Sequence, residues 1–74
     1  PAVLNGANEK VVASFLEKNI NFLDISKTLH SVMQQYYKTI SLPEVPSFLK
    51  HIRTIEDAVM ADQWGREQAM KFMC

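Results

Sequence analysis

Between Asp24 and about Lys38 the apolar side chains Ile25, Leu29, Val32, Met33 and Tyr36 follow the series i, i+4, i+7, i+8, i+11. That spacing lines one face of an α-helix, whereas a strand would need alternation. A helix with one apolar stripe has to bury it against another element of the chain. Ile20-Asn21-Phe22 does alternate, but three residues with no partner of similar length are too few for a sheet. We read it as an extended linker that tucks Ile20 and Phe22 inward. The chain has 74 residues, enough for one small domain that buries only about 60% of its unfolded surface. The expected fold class is therefore all-α, a small bundle of three to four helices forming a single domain over residues 1–74.

The polar stretch Leu4-Asn5-Gly6-Ala7-Asn8-Glu9 leads straight into Val11, Val12, Phe15 and Leu16, which recur at helical spacing. A first helix is expected from about Gly6 to Lys18, with Asn19 as its stop. Asn5 and Asn8 are good N-cap residues, since a short side-chain oxygen can accept from the free N–H groups of the first turn. Glu9 would then lie where the helix dipole favours a negative charge. Two amides and a carboxylate exceed what one cap uses, so some of this polarity should be tied to another part of the fold.

Pro43 and Pro46 each remove a donor and bias the preceding residue out of helical geometry. Thr39 to Pro46 is thus expected to be a connection, with Leu42 and Val45 available to cover the core. Pro46 and Ser47 could open a short third helix through Phe48, Leu49 and Ile52. Thr54 is a candidate N-cap with Glu56 and Asp57 in the following turn, close to a capping box, so the last helix starts at about Ile55. Along it Ile55, Ala58, Asp62, Gly65, Ala69 and Phe72 are spaced by three and four residues, a seam of largely small side chains. Small residues let another helix approach closely, which offsets the cost of about 1 kcal/mol that Gly65 carries relative to Ala. Trp64 and Met60 flank the seam and supply bulk. Asp62 falls inside it, and a carboxylate buried without donors would cost several kcal/mol. Two readings stand: Asp62 accepts hydrogen bonds from Asn5, Asn8 or the free N–H groups of the first helix, tying the chain ends together, or it simply faces water.

Charge and motif content exclude several function classes. Eight basic residues balance eight acidic ones, so no broad field exists to attract nucleic acid or anionic lipid. No run approaches the roughly 18 to 20 apolar residues of a membrane span, and the N-terminus lacks the basic and apolar blocks of a secretory signal. The chain is expected to be soluble, with no nucleic-acid and no membrane partner. The lone cysteine, Cys74, excludes an internal disulfide. His30 and His51 lie on different segments, and no Cys or carboxylate stands at the close offsets of zinc sites. Glu56 and Asp57 are explained by the helix dipole. No serine has a glycine elbow or a neighbouring His, and no glycine-rich phosphate loop is present. The sequence therefore offers no catalytic, cofactor-binding or metal-ligating residue.

The block Leu4-Asn5-Gly6-Ala7-Asn8-Glu9 with Val12-Ala13 and Phe15-Leu16, then Ile20-Asn21-Phe22-Leu23-Asp24-Ile25, resembles the C-terminal helical domain of 1-deoxy-D-xylulose 5-phosphate reductoisomerase. Ile55 to Glu67, which includes Asp62, Trp64 and Gly65, is similar to the last helix of that domain. The departures are Gly6 and Gly65, where the family usually places Ala, and the unmatched connection from Thr39 to Arg53. The resemblance implies that residues 1–74 are a non-catalytic C-terminal fragment of a larger NADP-dependent oxidoreductase and isomerase. Its cofactors would be NADPH and a divalent metal, Mg or Mn. The parent would be a homodimer making 2-C-methyl-D-erythritol 4-phosphate in the non-mevalonate route to isoprenoid precursors, in a bacterial cytoplasm or a plastid-type organelle. No catalytic position is carried over, because the family's nucleotide-binding, metal-binding and substrate-covering motifs precede this domain. The residues singled out in this sequence are structural: Asn5, Asn8, Glu9, Asp62, Trp64 and Gly65.

The role this leaves is a helical buttress whose partners are the remaining domains of the parent. With 47% hydrophobic residues a bundle of this size cannot easily hide all its apolar surface, and Phe48, Trp64, Phe72 and Met73 are the candidates for a docking face. The alternative is an independent helical interaction module that grips a partner helix in a groove lined by Met and aromatic side chains. A small helical DNA-binding domain is disfavoured by the zero net charge and the lack of a basic recognition helix.

Overall fold

The Pro1 carbonyl accepts a hydrogen bond from the Asn5 N–H at 3.0 Å, so the first helix begins at the very start of the chain. The computed structural model describes residues 1–73; Cys74 lies outside the described residues. Four helices are seen among them: α1 over Ala2–Leu16, α2 over Phe22–Ile40, α3 over Ser47–Lys50 and α4 over Ile55–Met73. The all-α fold class and the small bundle are as the spacing implies.

The start of α1 corrects the expected boundary at Gly6. Asn5 and Asn8 are interior helical residues, and the cap position is Pro1. Burying Val3 in the core rewards the extra turn, whereas an N-cap at Asn5 would have left it in a loop. The other end stops by backbone geometry. Lys18 adopts a left-handed φ of 63°, its N–H donates to the Phe15 carbonyl at 2.9 Å, and the Asn19 N–H donates to the Ser14 carbonyl at 2.9 Å. This is the Schellman pattern, usually built on glycine; a lysine there costs on the order of 1 kcal/mol.

Asn21 caps α2, and its N–H donates to Asp24 Oδ2 at 3.0 Å, so the helix opens at Phe22 rather than Asp24. The linker expected at Ile20-Asn21-Phe22 is therefore shorter than its alternation suggested. Phe22 also points outward: it is 70% exposed and meets Phe15 edge-on at a centroid distance of 5.8 Å. The α3 turn is shorter than expected too, burying Leu49 while Ile52 remains exposed. In the connection before it Val45 covers the core but Leu42 does not. Thr54 Oγ1 accepts from the Asp57 N–H at 3.0 Å, and Asp57 Oδ2 accepts from the Arg53 N–H at 3.0 Å. The capping role read for Thr54 and Asp57 thus holds, with the return bond one residue upstream of the usual place.

Asn5 faces Asp62 and Glu9 faces Arg66, so α1 and α4 run parallel. Tyr36 meets Trp64, and Thr28 shares a hollow with Phe72 and Met73, so α2 runs opposite to α4. The core is Val3, Ala7 and Val11 of α1, Val32 of α2, Leu49 of α3, and Ala61 and Ala69 of α4.

The buried seam of α4 is Ala61, Gly65 and Ala69, not the alternating three-and-four series expected through Ile55, Ala58, Asp62 and Phe72. Ile55 is 81% exposed and Phe72 is also exposed. A strict four-residue step drifts by about 40° around a helix each time, which suits helices that cross closely better than a heptad seam. Gly6 and Gly65, both buried, sit at that crossing. A methyl group on Gly6 would overlap the Asp62 carbonyl oxygen and stand 2.8 Å from its carbon. One on Gly65 would overlap the Val3 carbonyl oxygen and stand 2.9 Å from its carbon and 3.2 Å from the Ala7 nitrogen. Backbone touches backbone at this point.

Candidate functional site

Just outside the glycine crossing, α1 and α4 present four polar side chains to each other. On α1, Asn5 and Glu9 are one turn apart on one face; on α4, Asp62 and Arg66 have the same spacing. Arg66 Nε donates to Asp62 Oδ1 at 2.6 Å, Arg66 Nη2 donates to Glu9 Oε2, and Asn5 Nδ2 donates to Asp62 Oδ2 at 3.3 Å. One guanidinium therefore joins two carboxylates, one from each helix. Asp62 and Arg66 are half-buried and Glu9 is exposed, so the cluster lies at the rim of the interface.

The hydrogen bond to Asp62, and after it that to Glu9, raises the Arg66 pKa above its ordinary value. A cation whose pKa is raised by folding stabilises the fold below its ordinary pKa for as long as its carboxylate partners carry charge. At the alkaline end that contribution is lost as pH climbs through the raised value.

Among the residues singled out from sequence, Asn5, Glu9 and Asp62 come together here. Asn8 does not join them; it is exposed beside a surface hollow shared with Pro1, Leu4, Asn5 and Leu29. Gly65 supplies the close approach that brings the polar groups into reach. Trp64 lies apart, half-buried against the core and edge-on to Tyr36 at 6.3 Å; the Tyr36 hydroxyl in turn donates to the Leu49 carbonyl at 3.2 Å. Arg66, the hub of the cluster, was not singled out. Its signal was in plain view as an aspartate and an arginine four residues apart on one helix.

What holds this arrangement together is ion pairing: Glu9 and Asp62 share one guanidinium. Among the described residues there is no group of three or more His, Cys, Asp or Glu that could hold a metal ion. His30 and His51 are exposed on separate segments. No described helix is long and apolar enough to cross a membrane.

Residues 1–68 match the family model described as the DXP reductoisomerase C-terminal domain. The chain belongs to that family. It is 41% identical over 70 residues to the 1-deoxy-D-xylulose 5-phosphate reductoisomerase of Acaryochloris marina, covering 95% of this chain and 15% of the relative. The Pelodictyon phaeoclathratiforme enzyme of the same name is 41% identical over 75 residues, covering 99% and 16%. That of Chlorobaculum tepidum is 38% identical over 73 residues, with the same coverage. The chain thus spans about one-sixth of the length of these bacterial relatives. No solved structure matches it. Within this reductoisomerase domain, Leu4 to Leu16 and Ile55 to Glu67 of the resembling stretches map onto the α1–α4 pair, and Ile20 to Ile25 onto the connection into α2 and its first turn.

Proposed function

We propose that this chain is the C-terminal helical buttress of a 1-deoxy-D-xylulose 5-phosphate reductoisomerase, itself non-catalytic, and that its partners are the remaining domains of that enzyme. The full-length protein, in this reading, is a homodimer that uses NADPH and Mg or Mn to make 2-C-methyl-D-erythritol 4-phosphate for isoprenoid precursors. It works in a bacterial cytoplasm or a plastid-type organelle. The observation that carries the non-catalytic role is the Asn5–Glu9–Asp62–Arg66 cluster, whose two carboxylates are both committed to one arginine.

The described residues do not fit a divalent metal. A cation would have to displace the Arg66 guanidinium from Asp62 and Glu9, and no third acidic, His or Cys side chain stands close enough to complete the shell. No step of the reaction is routed through these helices. Their contribution is rigidity: holding the walls of an active site within a fraction of an ångström is itself worth large factors in rate.

The test is to express the encoded full-length protein, the same protein truncated before Pro1, and the 74-residue chain alone, and to follow NADPH oxidation with 1-deoxy-D-xylulose 5-phosphate. Turnover is expected from the first only. Substrate turnover by the 74-residue chain, or unchanged turnover by the truncated protein, would overturn the reading. An intact gene whose start codon stands next to Pro1 would instead favour the independent interaction module.

A further inference from the structure

The crossing of α1 and α4 assembles a reactive pair that the buttress role does not use. Asn5 is engaged through its side chain, whose Nδ2 donates to Asp62 Oδ2 at 3.3 Å. Gly6 is engaged through its backbone, since a Cβ there would overlap the Asp62 carbonyl oxygen and stand 2.8 Å from its carbon. Two separate demands of one contact therefore place a carboxamide directly before a glycine. Asparagine is among the thermolabile residues, and a following glycine is its most reactive context. With no Cβ on that glycine, nothing hinders attack of its backbone nitrogen on the carboxamide carbon. Asn8, Asn19 and Asn21 instead precede Glu9, Ile20 and Phe22, whose side chains obstruct the same approach.

The reaction needs no partner but water. The Gly6 nitrogen bonds to Asn5 Cγ, the Cγ–Nδ2 bond breaks, and the proton of the Gly6 N–H leaves with the amide nitrogen as ammonia. Water then adds to either carbonyl of the succinimide ring, giving aspartate or, with the backbone rerouted through Cγ, isoaspartate. The closed bundle blocks the first step. Asn5 and Gly6 lie inside α1, where the Gly6 N–H belongs to the i→i−4 ladder, so ring closure has to break the helix. Gly6 is also buried against the Asp62 backbone, which leaves it no room to turn. We propose that Asn5–Gly6 is a latent self-modification site, silent while α1 lies on α4 and deamidated when the two helices part. The product then keeps them from closing again. Aspartate at position 5 replaces the donor to Asp62 with a second carboxylate facing it, and Arg66 is already shared between Asp62 and Glu9. Isoaspartate adds a methylene to the α1 backbone where backbone touches backbone. The contact thus keeps an irreversible record of having opened.

The experiment incubates the encoded full-length protein in mildly alkaline buffer with graded urea. The peptide carrying Asn5–Gly6 is followed by mass and by chromatographic separation of its aspartate and isoaspartate forms. Conversion is expected to be at least about tenfold slower in the folded protein than above the unfolding transition, as for a site reached only by opening. Below the transition the rate should already climb with urea, because parting the helices exposes surface. Asn8, Asn19 and Asn21 should remain amides over the same interval. Equal rates in folded and unfolded protein, no conversion in either, or comparable conversion at those three asparagines would overturn the proposal. So would a rate that stays flat up to the transition, which would assign the reaction to fraying within α1 alone. Asn5→Asp, made directly, supplies one product without the reaction and should unfold at lower urea than the parent. An unchanged midpoint would show that the modified contact closes normally and would sink the claim that the opening is recorded.

Discussion

The α1–α4 contact and the α2 contact with that pair are built from opposite materials. Where α1 and α4 cross, Gly6, Ala7, Ala61, Gly65 and Ala69 bring two backbones into touch, and a salt-bridged rim closes the edge. Where α2 lies on them, Val32 is fully buried but Ile25, Leu29, Met33 and Tyr36 are only partly so. Flexible side chains fill that gap. A backbone contact cannot yield without moving a whole helix, whereas a side-chain contact can repack by changing rotamers. The first should therefore tolerate far less change in volume than the second.

The sharpest test of that contrast is Gly65→Ala, with Gly6→Ala as its twin. Each places a methyl group against a carbonyl of the opposite helix, and we expect a loss of about 3 kcal/mol in urea unfolding, the upper part of the overpacking range. The double variant should lose less than the sum of the two. Once the helices have separated for the first methyl, the second finds the space already open, and the non-additivity reports that both act on one interhelical distance. Strictly additive losses would mean that the two sites yield independently, and the contrast with α2 would weaken.

On the other side, Val32→Ala should cost about 2 kcal/mol, because neighbours that are themselves half-exposed can partly close the cavity. A loss exceeding that of Gly65→Ala would reverse the comparison. Tyr36→Phe keeps the ring against Trp64 but leaves the Leu49 carbonyl without its hydroxyl donor; a loss of about 1 kcal/mol is expected. The smallest effect belongs to the polar rim. Arg66→Gln should lower the melting temperature slightly at low salt and hardly at all near 1 M NaCl, since exposed charge pairs are screened. An equal drop at both salt concentrations would show that the aliphatic stem of Arg66 matters more than its charge.

How far the sequence could be read depended on the range of the interaction. The helical period of Ile25 to Tyr36 and the caps at Thr54 and Asp57 involve neighbours within a turn or two, and both appear as the spacing implied. The need for a donor to Asp62 was also legible, because a carboxylate among small residues is anomalous wherever its helix packs. Local rules misled where a tertiary gain outweighed them. Asn5 and Asn8 have the chemistry of caps, yet the helix runs back to Ala2 because Val3 then enters the core. The three-and-four pattern through Ile55 and Phe72 suited a heptad seam, yet the crossing selected Ala61, Gly65 and Ala69. Arg66 carries no local sign of its second partner, Glu9, which is 57 residues away.

By itself the sequence determined that this chain is helical, that its last helix opens at Ile55, and which family it belongs to, because periodicity, caps and motif blocks are properties of short stretches. Only the tertiary structure decided that Gly6 meets Asp62 and Gly65 meets Val3, and that one arginine serves two helices. Those outcomes depend on the relative shift of two helices nearly sixty residues apart. No local pattern encodes that shift; it is set by how closely the two backbones can approach.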